Sequence, residues 1–249
     1  MAKTIEERTF EERTFEVDGG RFAKVGKVIG DNNPIHTDRG IAVQAGFDDT
    51  PMQGVSLMRY FEYIAEVEGL PTDDYTVSFS GAVYPGGALT FKGEVGKKVA
   101  NLSAWKDSKR VAKASFKLEP GTSSLSICGE NEPFLYQLCQ DQANLFNGLL
   151  DLPERGFPAS YVGAMIPATL LEIVKRRTGE FSGVYRSSRL RTLGHLRPGN
   201  YKVQVFPSGD SRAMGEKVFY LVGAVCRINE NIVLAAELGV IAEPGMILE

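Results

Sequence analysis

Cysteine is scarce in this chain: three in 249 residues, Cys128, Cys139 and Cys226. They are far apart, odd in number and form no Cys-x-x-Cys pair, which argues against a disulfide framework and a structural zinc site and reads as reduced, buried thiols. Histidine is scarcer still, with His36 and His195 alone, so a metal hydrolase is hard to build. Basic charge is not in excess either. A net charge of -3 and a pI near 5.6 give no general attraction to nucleic acid, so any basic site must be local. Long hydrophobic runs are missing: none approaches a membrane span or a secretory h-region, which places the chain in the cytoplasm without membrane insertion. What is present, 43% hydrophobic and 24% charged residues, is the composition of a soluble globular protein, and the length suffices for one large domain or two modest ones.

The chain opens with a direct duplication, "EERTF" at 6–10 and again at 11–15, which reads as a strand with an extension and suggests no function. The terminal "LE" is excluded as vector-like. From Gly20 to Ile29, Phe22, Val25, Val28 and Ile29 recur at helical spacing, and "GDNNP" ends the run with helix-stopping residues. A short helix through "RGIAVQA" follows, then a turn at "GFDDTP". A longer helix from about Gly54 to Val67 is apolar on most sides and therefore buried. "YTVSFSGAVY", "ALTFKGEVGKKV" and "RVAKASFKLEP" then alternate like strands, with Gly and Pro between them.

After an exposed connection, "EPGTSSLSICGENEP", the order repeats. "FLYQLCQDQANLFNGLL" and "VGAMIPATLLEIVKRR" read as helices around a "DLPERGFP" turn. "FSGVYRSSRLRTLGHL", "YKVQVFPS", "KVFYLVGAVCRI" and "NIVLAAELGVIA" read as strands. A shift of 110 lays Asp31 on Asp141 and "GF" at 46–47 on "GF" at 156–157, and a slightly larger one brings "YPGG" near "RPGN". The economical reading is two α+β units, 1–125 and 126–249. In this overlay His36 meets Phe146 and Asn33 meets Ala143, so only the first unit carries the Asp and His chemistry.

That chemistry sits in "GDNNPIHTD" at 30–38. Asp31 and His36, with Pro34 stiffening the loop between them, can point into one cavity and hold one water. Imidazole titrates near neutrality and can take a proton from water or return one, which suits adding or removing water. Gly54 heads the buried helix, whose first N–H groups and dipole can stabilise charge on a carbonyl oxygen. Asp-x-Asn-Pro is equally good turn chemistry, and a lone His beside an apolar helix is commonly structural.

"GDNNPIHTD", followed by "AVQAGF" and "MQGVSL", resembles the MaoC-like family of hot dog fold enzymes, the (R)-specific enoyl-thioester hydratases and 3-hydroxyacyl-thioester dehydratases. The likeness covers residues 18–118, including "YPGGALTF"; beyond it only the order of elements is shared. It implies an α+β double hot dog, two units that each wrap a long helix in an antiparallel sheet. It implies a hydro-lyase in which Asp31 and His36 activate water, Asn33 orders the loop and the Gly54 N–H polarises the thioester carbonyl. Phe47, Gln53 and Ser56 are further substrate-binding candidates, and Gln53 stands where the family usually has His. No cofactor and no metal is implied. The substrate would be an acyl-CoA or acyl carrier protein thioester, in lipid or polyketide metabolism.

A second unit without the motif is free to shape the acyl pocket, and Phe146 in the place of His36 suggests a wider tunnel. Arg186, Arg189, Arg191 and Arg197 gather in it. Arg189 and Arg191, on one face of a strand, could meet the phosphates of coenzyme A or an acidic carrier, or simply be a solvated face. The fused pair would act as a monomer or as a homodimer. Two alternatives stay open: a catalytically silent thioester- or carrier-binding protein, and another thioester reaction such as hydrolysis or isomerisation on the same fold.

Overall fold

The computed structural model describes residues 7–119, 132–154, 156–178, 183–209 and 211–245. Cys128, the proposed boundary at 125/126 and most of the Ser- and Gly-rich connection lie outside them. The first half runs β1 (Arg8–Thr9), β2 (Arg13–Glu16), α1 (Gly19–Ile29), a 3-10 turn (Pro34–His36), α2 (Arg39–Gln44) and α3 (Gly54–Val67). It continues with β3 (Asp74–Phe79), β4 (Ala88–Val95), β5 (Val99–Lys106) and β6 (Lys109–Lys117). The second half has β7 (Phe134–Leu138), α4 (Gln140–Leu149), α5 (Ala159–Gly163), α6 (Met165–Thr178), β8 (Val184–Thr192), β9 (Gly199–Pro207), β10 (Arg212–Met214), β11 (Lys217–Ile228) and β12 (Asn231–Ala242).

All the strands join one antiparallel sheet, with the path β1-β4-β5-β6-β3-β8-β12-β11-β9-β7, β2 beside β4 and β10 beside β11. Read outwards from its middle, the two arms have the same order. β3 pairs with β8 from Asp74↔Arg191 to Ser78↔Ser187, which welds the half-sheets together. The likeness extends to detail. Ser80 and Gly81 both donate their N–H to Val111 O, at 2.8 and 3.1 Å, and Leu193 and Gly194 do the same to Val233 O, at 2.9 and 3.2 Å. Each pair of bonds follows the end of a strand, β3 in one half and β8 in the other, so the same backbone device recurs in both halves.

Helix positions follow from the sequence periodicity. Phe22, Val25 and Ile29 are the buried stripe of α1. Asp18 caps its start by accepting the Gly20 N–H, and Gly30 ends it at φ 71, a left-handed conformation that glycine adopts without strain. α3 buries residues on every side, including Arg59 and Glu62, because the sheet wraps it and the other half closes over it. Phe15 of β2 joins Tyr60 and Tyr63 of α3 and Phe91 of β4 in an aromatic cluster. Both copies of the duplicated pentapeptide pair with β4, and Arg8 and Arg13 both reach the Glu68 carboxylate.

Three expectations need correction. Phe134–Leu138 is a strand, not the first turns of a helix: its burial alternates and it pairs with β9. Val99–Lys106 is a strand where none was expected; its buried face is Ala100, Leu102 and Ala104, whose small side chains give a weak period-two signal. The overlay at a shift of 110 also fails. α1 corresponds to α4 as an element, so Asp141 and Phe146 lie inside a helix, while Asp31 and His36 lie in the loop beyond one. Residues 30–53 join α1 to α3, but only 150–158 join α4 to α5. The second half therefore lacks the segment that would hold a histidine.

Among the described residues no helix is long and apolar enough to cross a membrane. Cys226 is buried, with burial pushing its thiol up to about 12, whereas Cys139 is only half-buried.

Candidate active site

The loop after α1 is built by its own polar residues. The Asp31 N–H closes onto Gly26 O at 2.9 Å, and the Asp31 Oδ1 accepts the Asn33 N–H at 3.1 Å. Asn33, itself buried, accepts the Ile35 N–H through Oδ1 at 3.3 Å and so caps the 3-10 turn that carries His36. His36 Nδ1 lies 2.7 Å from Pro51 O. A carbonyl can only accept, so Nδ1 carries a hydrogen, and in the neutral form of the ring Nε2 is the acceptor. That Nε2 is 3.4 Å from Asp31 Oδ2. Both side chains are more than four-fifths buried, and in the neutral form of the ring the two atoms are neighbouring acceptors that one water can reach.

Both groups line a cavity of about 150 Å³ at the junction of the two halves. Its near wall includes Phe47, Met52, Gly54, Val55 and Met58. The far wall comes from the second half, with Gly163, Pro167, Tyr185, Ser188 and Leu238 among its residues. The side chains are mainly apolar, so the polar groups stand out. Tyr185 donates its hydroxyl to Pro167 O at 3.2 Å, and burial, then the charge of Asp31, holds its phenol well above the usual tyrosine range. Arg186 stands exposed at the rim.

α3 points its N-terminus into this cavity. Gln53, at the cap position, makes no side-chain bond to the helix start. Among the described residues neither the Gly54 nor the Val55 N–H donates to a protein acceptor. Their partial positive charge faces the cavity near Asp31 and His36. A Cβ at position 54 would stand 3.1 Å from the Phe79 ring, so glycine lets the ring lie against the helix start.

The remaining candidates separate. Phe47 lines the cavity. Gln53 and Ser56 do not: Gln53 turns inward and donates to Phe22 O at 3.0 Å, tying α3 to α1, and Ser56 is fully buried on the core side of the helix. Arg189 grips Asp74 with two bonds, Nε–Oδ1 at 3.1 Å and Nη2–Oδ2 at 2.9 Å, and Lys117 adds a third at 3.0 Å. Neither Arg189 nor Arg191, which faces Asp74 across the β3–β8 register, lines the cavity. Phe146 is buried against Tyr161 and does not reach it either, so it offers no support for a widened tunnel. The far-wall residues Pro167, Tyr185 and Ser188 were not foreseen, because only the pairing of β3 with β8 brings them there.

A scan against protein-family models and a search of curated proteins find no match to this chain. Solved structures do match over nearly its whole length. A protein of Chloroflexus aurantiacus named as a MaoC domain dehydratase aligns with a TM-score of 0.69 at 10% identity, covering 96% of this chain and 95% of that one. A conserved protein of Mycobacterium tuberculosis with a double hotdog fold aligns at 0.63 and 10% identity, over 95% and 96% of the two chains. A Lactobacillus plantarum protein named as an oleoyl thioesterase aligns at 0.58 and 10% identity, over 95% and 97%. At such identities the likeness speaks for the fold: the chain is an α+β double hot dog.

Proposed function

We propose that the chain is a hydro-lyase that reversibly adds water across the double bond of a trans-2-enoyl thioester to give a 3-hydroxyacyl thioester. The observation that carries this reading is His36 Nε2 and Asp31 Oδ2, 3.4 Å apart in an apolar cavity beside the start of α3, whose Gly54 and Val55 N–H groups have no protein acceptor among the described residues. His36 Nε2 takes a proton from the water as its oxygen bonds to C3. The electron pair of the double bond moves onto the thioester oxygen, held by the Gly54 N–H at the positive end of the helix. Collapse of that enolate takes a proton at C2, delivered from His36 by way of Asp31, so water's oxygen ends on C3, its proton on C2, and both side chains return to their first state. Because His36 and Asp31 adjoin each other, both proton transfers in this scheme take place on one face of the double bond, which gives syn addition. The apolar walls suit an acyl chain, and the rim at Arg186 suits a phosphate-bearing carrier, either coenzyme A or an acyl carrier protein. The GDNNPIHTD loop and the fold support the same assignment.

Thioester hydrolysis on the same fold is the second reading, favoured by the thioesterase named among the structural neighbours. Purified protein mixed with trans-2-enoyl-CoA thioesters of increasing length separates the two. Loss of enoyl absorbance with a 3-hydroxyacyl product and no free thiol is the expected result. Release of free thiol would replace hydration with hydrolysis, and no reaction with CoA or carrier-bound substrates would leave a binding protein.

A further inference from the structure

Among the described residues, the junction of the two halves includes one hollow at the start of α3 and another at the start of α5. The second is lined by Glu62, Glu66 and Asp73 of the first half and by Pro158, Ala159 and His195 of the second. It is the counterpart of the first by position. Gly81 lines one and Gly194 the other, and these are the residues whose paired N–H bonds to Val111 and Val233 repeat between the halves. Gly54 begins one helix and Ala159 the other. The ninth residue from each start lines the hollow at the other start: Glu62 of α3 in the second hollow and, counted across the break at Ala164 between α5 and α6, Pro167 in the first.

The contents of the hollows differ at that position. In the second, Glu62 Oε1 accepts the Ala159 N–H at 2.8 Å, and Oε2 accepts the Ser160 N–H at 3.2 Å and the Ser160 hydroxyl. The first two amides of the helix are thus capped by two oxygens of one buried carboxyl group. In the first, Gly54 and Val55 are the equivalent amides. Neither has a protein acceptor among the described residues, and Pro167 has no side-chain oxygen to offer.

We propose that Glu62 occupies, in the second hollow, the place that the substrate's thioester oxygen takes in the first. The chain seals one of its two oxygen-binding helix starts with its own carboxyl group and keeps the other open by having proline at 167. Val55 then joins Gly54 as a second donor to the oxygen, and each chain handles one thioester, on the Asp31 and His36 side. The identity of that oxygen rests on the hydro-lyase reading; the sealing and the opening rest on the geometry alone.

The test is to transplant the seal. In a crystal structure of Pro167→Glu the new carboxyl oxygens are expected within about 3 Å of the Gly54 and Val55 nitrogens, and enoyl-CoA hydration is expected to fall at least ~100-fold. Pro167→Leu, with comparable bulk and no oxygen, measures what the change of shape at this cavity-lining position does by itself, and Pro167→Glu is expected at least ~10-fold below it. A folded Pro167→Glu protein whose carboxyl turns away from α3, or one as active as Pro167→Leu, overturns the proposal. Hydrogen exchange on the wild type tests it without any variant. The Ala159 and Ser160 amides should exchange slowly and Gly54 and Val55 fast; equal rates would overturn it. If the wild type hydrates no thioester, the hydro-lyase reading falls, but a capped Gly54 and Val55 in Pro167→Glu and the exchange contrast would still uphold the sealing.

Discussion

Glu62→Ala removes an acceptor from the middle of the molecule, and its cost can be worked from the contacts. The side chain is 2% exposed and serves two backbone amides and one hydroxyl across the junction of the halves. An unsatisfied buried donor costs about 1–3 kcal/mol. Two amides therefore set a range of roughly 2–6 kcal/mol, and the adjoining hollow admits water, which favours its lower part, about 2–4 kcal/mol. Arg59 does not add an orphaned charge, since it keeps Glu66 at 2.9 Å and Asn147 at 2.7 Å. Stability on this scale is a large share of the 5–15 kcal/mol typical of a domain, and corresponds to a fall in Tm of about 4–16 °C. Urea unfolding followed by circular dichroism, with the slope held common to wild type and variant, measures it. The pH dependence supplies a second reading. Burial holds the Glu62 carboxyl above its ordinary range, against the pull of Arg59 and the Ser160 hydroxyl. The folded chain then binds that proton more tightly than the unfolded chain. Stability from this group is greatest below the unfolded value and declines as pH rises through the folded one. Glu62→Gln should lose that decline. A loss below 1 kcal/mol in Glu62→Ala would refute the reasoning, because it would mean that the α5 amides do not depend on this acceptor.

Two further predictions concern the cavity and its surroundings. His36→Ala and Asp31→Asn should each lower kcat/KM on an enoyl thioester by about 10²–10⁴-fold. If both act on one water, the double variant should fall little below the worse single one, and multiplicative losses in steady-state kinetics would separate their roles. Arg189→Ala should leave KM for an acyl-CoA unchanged, because the guanidinium is committed to Asp74, and should reduce stability by about 1–3 kcal/mol. Burial opposes the Asp74 carboxylate, but the Arg189 and Lys117 bonds outweigh it and hold its pKa below the usual value. The stability they provide is present above the unfolded value near 3.8 and is lost as pH falls through the folded one, so acid titration of unfolding in the variant should show a shallower loss.

The strongly patterned elements were legible without coordinates. α3 and the long strands β11 and β12 have the bounds their periodicity suggests, because apolar spacing and burial are the same information for an element wrapped on all sides. Phe134–Leu138 was misread because a five-residue apolar run next to a helix has no period of its own to separate it, and its partner, β9, lies more than sixty residues away. Ser56 is a substrate candidate by nearness in sequence and Gln53 by the family pattern it departs from, yet helix rotation turns Ser56 to the core and the Phe22 carbonyl draws Gln53 inward.

The sequence by itself determined the local constellation at Asp31, Asn33, Pro34 and His36. The Asp31 and Asn33 bonds that shape the loop span two residues and its turn chemistry is written in those side chains, whereas the bond that orients His36 reaches fifteen residues on, to Pro51. The sequence also suggests that the second half has no such Asp and His pair, but the shortness of the segment between α4 and α5 is seen only in the structure. Only the tertiary structure decided which groups complete the site. The β3–β8 pairing brings Pro167 and Tyr185 opposite Gly54, and the same pairing brings Glu62 opposite Ala159. Contacts between residues a hundred positions apart depend on register and helix rotation together, and neither is encoded in a local pattern. Among the described residues, the start of α5 is capped by Glu62 and the Gly54 and Val55 N–H groups of α3 have no protein acceptor, because of that long-range geometry.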